Sequence, residues 1–529
     1  MYEKYAACLA LICGLVAPLQ TWGEESDASR TVREVFQQHP EACAPWLSAA
    51  DLGVPSVLHA LYRAEAFSPL WLAPERRTAL DHELAQLADD GLDPSHYSPP
   101  PSDPAPADTH LLQACADLRI SRDYLRALRH LSRGKVPQEQ IEPFWRAPRS
   151  HNPQPRRSLL SLAWNGLNDL PGAFAAARPS QPQYQALRRF YAAQRRQPLP
   201  EWPNVPAGRL LKPGMDDPRV AQLASRLVAQ GYLPVRPEDA GSRYDEALLA
   251  AVQAFQSEHG LQDDGLVGSD TLVALNTSPA ARLDQLRVNL ERWRWLAGDL
   301  EPETLLVDIA GGLLTYLRDG QPVWQGRTQV GRAARQTPRL KSLVSRLTLN
   351  PTWTVPPTIL REDKLPEIRR DPNYLAEHQL RVFDHAGKAL DPALVDWQRP
   401  GAILLRQDAG PKNPLGRLVI RFANPFSVYL HDTPSQQLFK KSPRAFSSGC
   451  VRVEGIFTLL DHLLPTDERQ ALEVRLAKGR TEQVAIEQRL PIVLAYWTAD
   501  LHGSGRPLLR NDIYALDAPL LAALVGNSD

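Results

Sequence analysis

The period of hydrophobic residues changes once along this chain, near residue 305, and that change limits the folds open to it. Upstream, apolar side chains recur at three- and four-residue spacing, as in Ile120, Tyr124, Leu125, Leu128 and Leu131, which share one helix face. Downstream, the stretches 305–309, 313–317, 347–349, 418–422 and 427–430 read as strands between Gly, Pro and Asn turns. The two periods bury different surfaces, and 529 residues exceed what one core serves. The expected fold is therefore multidomain α+β. It comprises a helical scaffold over 31–200, a compact three-helix unit over 206–276, a charged helical connector over 277–302 and a mainly β domain over 303–480. Residues 481–529 are expected as an extension packed on that domain. Proline-rich and helical material over 351–414 interrupts the strands and is too long for a hairpin loop, a length that usually signals function.

The 60 basic and 60 acidic residues cancel, so nothing argues for a nucleic-acid partner. Proline is abundant, at 48 residues, and its clusters at 97–107 and 143–155 read as rigid, exposed connections. At the N-terminus, Lys4 precedes an apolar run over 6–16, then Pro18, Thr21-Trp22-Gly23 and Glu24-Glu25. This is the pattern of a secretory signal peptide over 1–23. The run is shorter than the roughly 20 residues of a membrane-spanning helix, which favours cleavage over anchoring. Ile12 before Cys13 is the wrong residue for lipoprotein processing. Loss of the signal leaves Cys43, Cys115 and Cys450, an odd number for an oxidising compartment. Cys43 and Cys115 could pair and leave Cys450 free; alternatively all three are buried as small hydrophobes.

In the three-helix unit, Val220, Leu223 and Leu227 mark one helix and Leu248, Val252 and Phe255 a second, with turns at Gly231-Tyr232 and Gly260. The strings Asp217-Pro-Arg-Val220, Ala251-Val-Gln-Ala-Phe-Gln256, His259-Gly-Leu261 and Asp264-Gly-Leu-Val-Gly268 resemble the peptidoglycan-binding type 1 domain. That resemblance implies tethering to the bacterial cell wall.

The chemistry-bearing segment is Tyr429-Leu-His431-Asp-Thr-Pro434 followed by Ser447-Ser-Gly-Cys450-Val-Arg452, with a helix beginning near Ile456. A strand ends at a histidine, and a glycine turn presents a cysteine. Thiolate is the nucleophile, and an imidazole within reach can take the thiol proton. Gly449 permits an unusual backbone conformation, and with Ser448 it is expected to turn amides toward an oxyanion. Arg452 is placed to favour thiolate or to hold a substrate carboxylate. The plainer readings are a structural histidine and an Arg452 engaged in a surface ion pair. For the orientation of His431, a backbone carbonyl is expected over the Asp432 carboxylate, because adjacent strand residues face opposite ways. Tyr429 shares the face of His431.

This segment resembles the catalytic motif of the YkuD-type L,D-transpeptidases, in which a histidine precedes a Ser-x-Gly-Cys-x-Arg element by about nineteen residues, as His431 precedes Cys450. The likeness extends to Asn350-Pro-Thr-Trp353, Val355-Pro-Pro-Thr-Ile359, Gly410-Pro-Lys-Asn413, Leu415-Gly416 and Arg510-Asn-Asp-Ile-Tyr514. The domain order is similar to that of the large periplasmic YcbB type, whose insertion caps the substrate at the position of 351–414. Many members have histidine where this chain has Ser448, so His431 must supply the base alone. The resemblance implies a periplasmic enzyme with Cys450 as nucleophile and His431 as base, and with Tyr429, Trp353 and Asn413 in contact with substrate. It implies tetrapeptide stems as donor and acceptor, a thioester, loss of D-alanine and 3-3 cross-links. Carbapenem β-lactams are the expected covalent inhibitors, other cell-wall enzymes are expected associates, and no cofactor or metal is expected. With water as acceptor the same site is an L,D-carboxypeptidase. A zinc peptidase is disfavoured because the sequence has no His-Glu-x-x-His. A non-catalytic wall-binding protein is disfavoured by the complete Cys, His, Gly and Arg set.

Overall fold

The computed structural model describes residues 26–44, 46–53, 56–97, 109–145, 158–235, 241–486, 490–501 and 505–526. The expected signal peptide lies outside the described residues, as does most of both proline clusters. Among the described residues no helix is long and apolar enough to cross a membrane.

The chain forms two compact units, and the helical region expected over 31–200 is divided between them. The first holds the helices Asp27–Gln38 and Val57–Ala64, capped by the Ser26 and Ser56 side chains. In its interior the Asp117 carboxylate accepts from the Tyr62 hydroxyl at 2.5 Å and from the Leu70 and Trp71 amides at 2.9 and 2.8 Å. Cys43 and Cys115 are disulfide-bonded there, and Cys450 is the free cysteine among the described residues.

The second unit contains the rest. The expected connector is a buried spine, the helix Pro279–Ala297. Its charges are paired internally, Arg294 with Glu291 at 2.5 Å and Arg292 with Asp517 at 2.6 Å. Trp293 stacks on Trp497 at 4.9 Å. A helix with so many charges reads as exposed in sequence, and only these partners make its burial affordable. In the three-helix unit, Arg219–Ala229, Glu246–Glu258 and Ser269–Asn276 close over Leu223, Leu227, Val252 and Phe255. Gln256 fixes its last turn, accepting from Gly265 N at 2.8 Å and donating to Leu266 O at 3.0 Å.

The β domain opens with β1 (Thr304–Asp308), β2 (Leu313–Arg318), β3 (Gln321–Gly331) and β4 (Leu340–Leu349). The insertion supplies β5 (Trp353–Thr354), β6 (Leu380–Asp384), β7 (Ala389–Leu390) and β8 (Ile403–Gln407). It was expected to be helical and proline-rich, yet these strands form a separate four-stranded sheet over a core of Val355, Ile368, Val382 and Leu405. The chain continues through β9 (Leu418–Phe422), β10 (Leu430–His431), β11 (Ala445–Ser447), β12 (Val451–Val453), β13 (Glu482–Ala485) and β14 (Pro491–Ala495). The order β3-β12-β10-β9-β4-β14-β1-β2 closes on itself because β2 also pairs with β3. Closure leaves no open edge among these strands.

Two expectations change. The extension expected over 481–529 begins inside the sheet: β14 is an interior strand, fully buried, parallel to β1 and antiparallel to β4, and beyond it Tyr496 and Tyr514 pack against the domain's core. The strand expected over 427–430 begins at Leu430, because Asn424 binds the Phe426 and Val428 amides and Ser427 takes φ +55°.

His130, His259 and His431 are all buried and held neutral, His130 with its pKa pushed down to about 2 and His431 to about 3, chiefly by loss of hydration. The unfolded chain binds protons at these histidines below about pH 6.5 and the folded chain does not, so acid favours unfolding. Stability should fall by about 1.4 kcal/mol per histidine for each pH unit below that point. Denaturant titrations across the mildly acid range check this; stability that is flat there contradicts it.

Candidate active site

β10 lies between β9 and β12, with His431 opposite Val419 and Arg452. The Val451 amide donates to Tyr429 O at 3.0 Å, so the residue beside Tyr429 in this parallel register is Cys450. The sheet thus brings the Cys450 turn and the His431 strand together, and both side chains line one cleft of about 560 Å³. The backbone turns at Gly449 with φ +114°, a conformation a side chain would strain. Its carbonyl accepts from Thr337 Oγ1 at 2.9 Å, and the Thr337 hydroxyl also accepts from Gly331 N at 2.9 Å. Tyr514, from the Arg510–Tyr514 motif, donates to Gly331 O at 2.6 Å and accepts from Thr337 N at 3.1 Å. The C-terminal segment therefore braces the loop that braces the nucleophile turn.

His431 is 3% exposed, and its Nδ1 lies 2.5 Å from Asp432 O. The orienting group is the backbone carbonyl; the Asp432 carboxylate instead accepts from Arg417 N at 2.9 Å. Burial and then the Arg452 charge keep the imidazole neutral, so Nδ1–H donates and Nε2 carries the lone pair. The half-buried Cys450 thiol is pushed up by burial, against bonds from Tyr429 and the charges of Arg452 and Arg421. Thiol and imidazole are both neutral at rest, and the proton moves when the sulfur attacks. Tyr429 stands edge-on to His431 at 5.7 Å, with Arg421 over its ring at 5.0 Å.

Arg452 is not in a surface ion pair. It donates to Gln329 Oε1 at 3.0 Å, its Nε is buried without a partner, and it has no carboxylate partner among the described residues. Ser448 is exposed and its Oγ accepts from Arg335 Nη1 at 3.0 Å. Arg335 is also paired with Asp363 at 2.6 Å and Glu362 at 2.7 Å, so the Ser448 side chain is tied through Arg335 to the insertion. The Gly449 amide is likewise occupied, donating to Ser447 Oγ at 3.1 Å.

Trp353 lines the cleft and also a second cavity of about 840 Å³, and the two share Ile359, Pro414, Ser448 and Arg452. Asn413 does not reach either. It is 1% exposed, donating to Pro351 O at 2.9 Å and Asp408 O at 3.1 Å while accepting from Leu415 N at 2.9 Å. The side chain pins the two roots of the insertion together. Asn413→Ala should therefore cost about 1–3 kcal/mol of stability through unpaired buried groups, with alkylation of Cys450 by iodoacetamide preserved. Denaturant unfolding and peptide mapping check the two halves.

Sequence reasoning missed part of the cleft. Phe144 meets Phe426 edge-to-face at 5.1 Å, and Glu142 pairs with Arg339 at 3.2 Å, so a segment from the helical region forms one wall. Arg335 and Gln336 line it too. The only sequence signal was the Pro143 cluster, which read as a linker.

Three family models match the chain. Residues 302–476 match the "L,D-transpeptidase catalytic domain" of YkuD type, residues 216–275 a "Putative peptidoglycan binding domain", and residues 56–190 a "Scaffold domain". A Haemophilus influenzae protein named "Putative L,D-transpeptidase" is 36% identical over 278 residues, covering 51% of this chain and 55% of the relative. The chain thus spans about half the length of that relative. Among solved structures, an L,D-transpeptidase from Mycobacterium smegmatis is 13% identical over 36% of this chain and 58% of its own, with TM-score 0.19. Another, from Xylanimonas cellulosilytica, is 17% identical over 55% of this chain and 98% of its own, with TM-score 0.18.

Proposed function

We propose that this chain, whose residues 302–476 match an L,D-transpeptidase catalytic domain of YkuD type and whose residues 216–275 match a putative peptidoglycan-binding domain, forms 3-3 cross-links between peptidoglycan stems in the periplasm. The observation that carries the reading is the free Cys450 in one cleft with a neutral, carbonyl-oriented His431. Cys450 attacks the carbonyl of the third, diamino-acid residue of a tetrapeptide stem, its proton passing to His431 Nε2. The carbon–nitrogen bond to D-alanine breaks, the imidazolium returns the proton to the departing amine, and a thioester remains. The side-chain amine of a second stem then attacks the thioester, giving up a proton to His431, and thiol is regenerated. The Cys450 amide is the donor for the oxyanion, since that of Gly449 is engaged by Ser447. Arg452, a half-buried cation with no acidic partner among the described residues, binds the stem carboxylate. The two cavities meeting at Trp353 and Ser448 give room for donor and acceptor, and the insertion caps them. Carbapenems acylate the same sulfur.

The test is to incubate the protein with disaccharide-tetrapeptides and follow products by mass spectrometry. Dimers joined between third residues, with free D-alanine, support the reading. Tripeptide alone assigns water as acceptor and makes the protein a carboxypeptidase. No product contradicts both.

A further inference from the structure

Arg452 stands in a row of three side chains that crosses three strands. His431 on β10 is opposite Arg452 on β12, and Arg452 is opposite Gln329 on β3. Residues directly opposite on neighbouring strands share one face of a sheet, and here the strand neighbours Leu430, Val451 and Val330 belong to the hydrophobic core on the other face. The face that carries the site therefore holds imidazole, guanidinium and amide side by side. Gln329 is fully buried and is not among the residues that line the two cavities, so it does not touch a substrate. Its amide is held at both ends: Oε1 accepts from Arg452 Nη1 at 3.0 Å, and Nε2 donates at 3.3 Å to Ser435 O, in the loop that leads from His431 to Cys450. The reverse orientation would set amide N–H groups against a guanidinium and the amide oxygen against a carbonyl, so the network fixes which way round the amide stands.

A guanidinium drawn out of water is ordinarily paired with a carboxylate, which satisfies its hydrogen bonds and cancels its charge. The described residues supply no carboxylate to Arg452, and the groups around it carry no charge: the Gln329 amide, the neutral His431 imidazole and the resting Cys450 thiol. An amide does half of what a carboxylate would. It fixes the guanidinium in place and leaves the charge uncancelled, and that charge borders both cavities, since Arg452 lines each of them. We propose that Gln329 is a positioning residue, which holds the Arg452 guanidinium at the cleft and, by being neutral, keeps its charge free for a carboxylate on the substrate. The inference rests on the reading that Arg452 binds a stem carboxylate, and it names the group that decides how strongly anions are favoured beside the sulfur.

The experiment alkylates Cys450 in the full chain, in mildly alkaline solution, with iodoacetate, which carries a carboxylate, and with iodoacetamide, which does not, and follows both rates by peptide mapping. The thiolate fraction enters both rates alike and cancels in their ratio. Gln329→Glu sets a carboxylate of the same shape against Arg452, whose charge keeps it ionised, and should lower the iodoacetate-to-iodoacetamide ratio about tenfold or more. Gln329→Met keeps the volume and the neutrality but removes the hydrogen bond, and should lower the ratio about threefold. The ratio of acylation rates by a carbapenem and by its uncharged ester should fall in the same order. An alkylation ratio within about twofold of wild type in folded Gln329→Glu overturns the proposal. Equal falls in the two variants overturn it as well, because they would mark a packing role. If Gln329→Glu does not fold, an unchanged ratio in Gln329→Met overturns it. Alkylation ratios that shift as expected in a protein that no carbapenem acylates would instead defeat the proposed activity and leave the role of Gln329 standing.

Discussion

Cys450→Ala should lower product formation from tetrapeptide stems by about 10⁴-fold or more, with binding of the stem retained. Every covalent step in the proposed reaction passes through this sulfur, and no second thiol is available among the described residues, where Cys43 and Cys115 are joined to each other. The substitution removes one atom from a half-buried position at the cleft wall, and the turn that holds it is fixed by Thr337 and Tyr514 rather than by the sulfur. Loss of activity without loss of thermal stability is therefore expected, read by mass spectrometry of products and by thermal unfolding. Unchanged product formation would remove the nucleophile from Cys450 altogether.

His431→Ala should slow acylation by on the order of 10²- to 10⁴-fold and change its pH dependence as well. In the intact protein the imidazole is neutral above about pH 3, since burial and Arg452 both oppose its charging. Its base form is then fully present through the mildly acid and neutral range, and the acylation rate should vary little there. Without it, the rate depends on the small thiolate fraction of a thiol whose pKa burial has raised, and should climb about tenfold per pH unit. Carbapenem acylation followed by stopped-flow absorbance gives both curves. A wild-type midpoint near pH 6.5 would mean that the imidazole titrates normally, and equal rates in the two proteins would mean that it is not the base.

How much of this could be read from sequence depended on whether the information was local. β1, β2 and β9 announce themselves as apolar runs. β3 does not, because its first half is exposed and rich in Gln. β14 is an obvious strand by composition, but its place between β1 and β4 rests on parallel pairing across almost the whole β domain, which no local pattern encodes. The Cys450 and His431 pair was legible because a strand end and a glycine turn fix both residues within one short segment. The backbone carbonyl orienting His431 followed from strand alternation alone. Asn413 was misassigned for the opposite reason. Its motif is real, but the side chain turns inward to Pro351 and Asp408, which only the folded insertion brings together. Phe144 and Glu142 reach the cleft from a distant helical region, and nothing in their immediate sequence pointed there.

The central claim is that the sulfur of Cys450 becomes the acyl carrier, and intact-protein mass spectrometry during turnover of a disaccharide-tetrapeptide donor tests it most directly. The account predicts a transient adduct equal in mass to the disaccharide-tripeptide acyl group, mapped by proteolysis to the peptide containing Cys450 and released by hydroxylamine. Turnover with no adduct at any time, or an adduct that persists in Cys450→Ala, would contradict it.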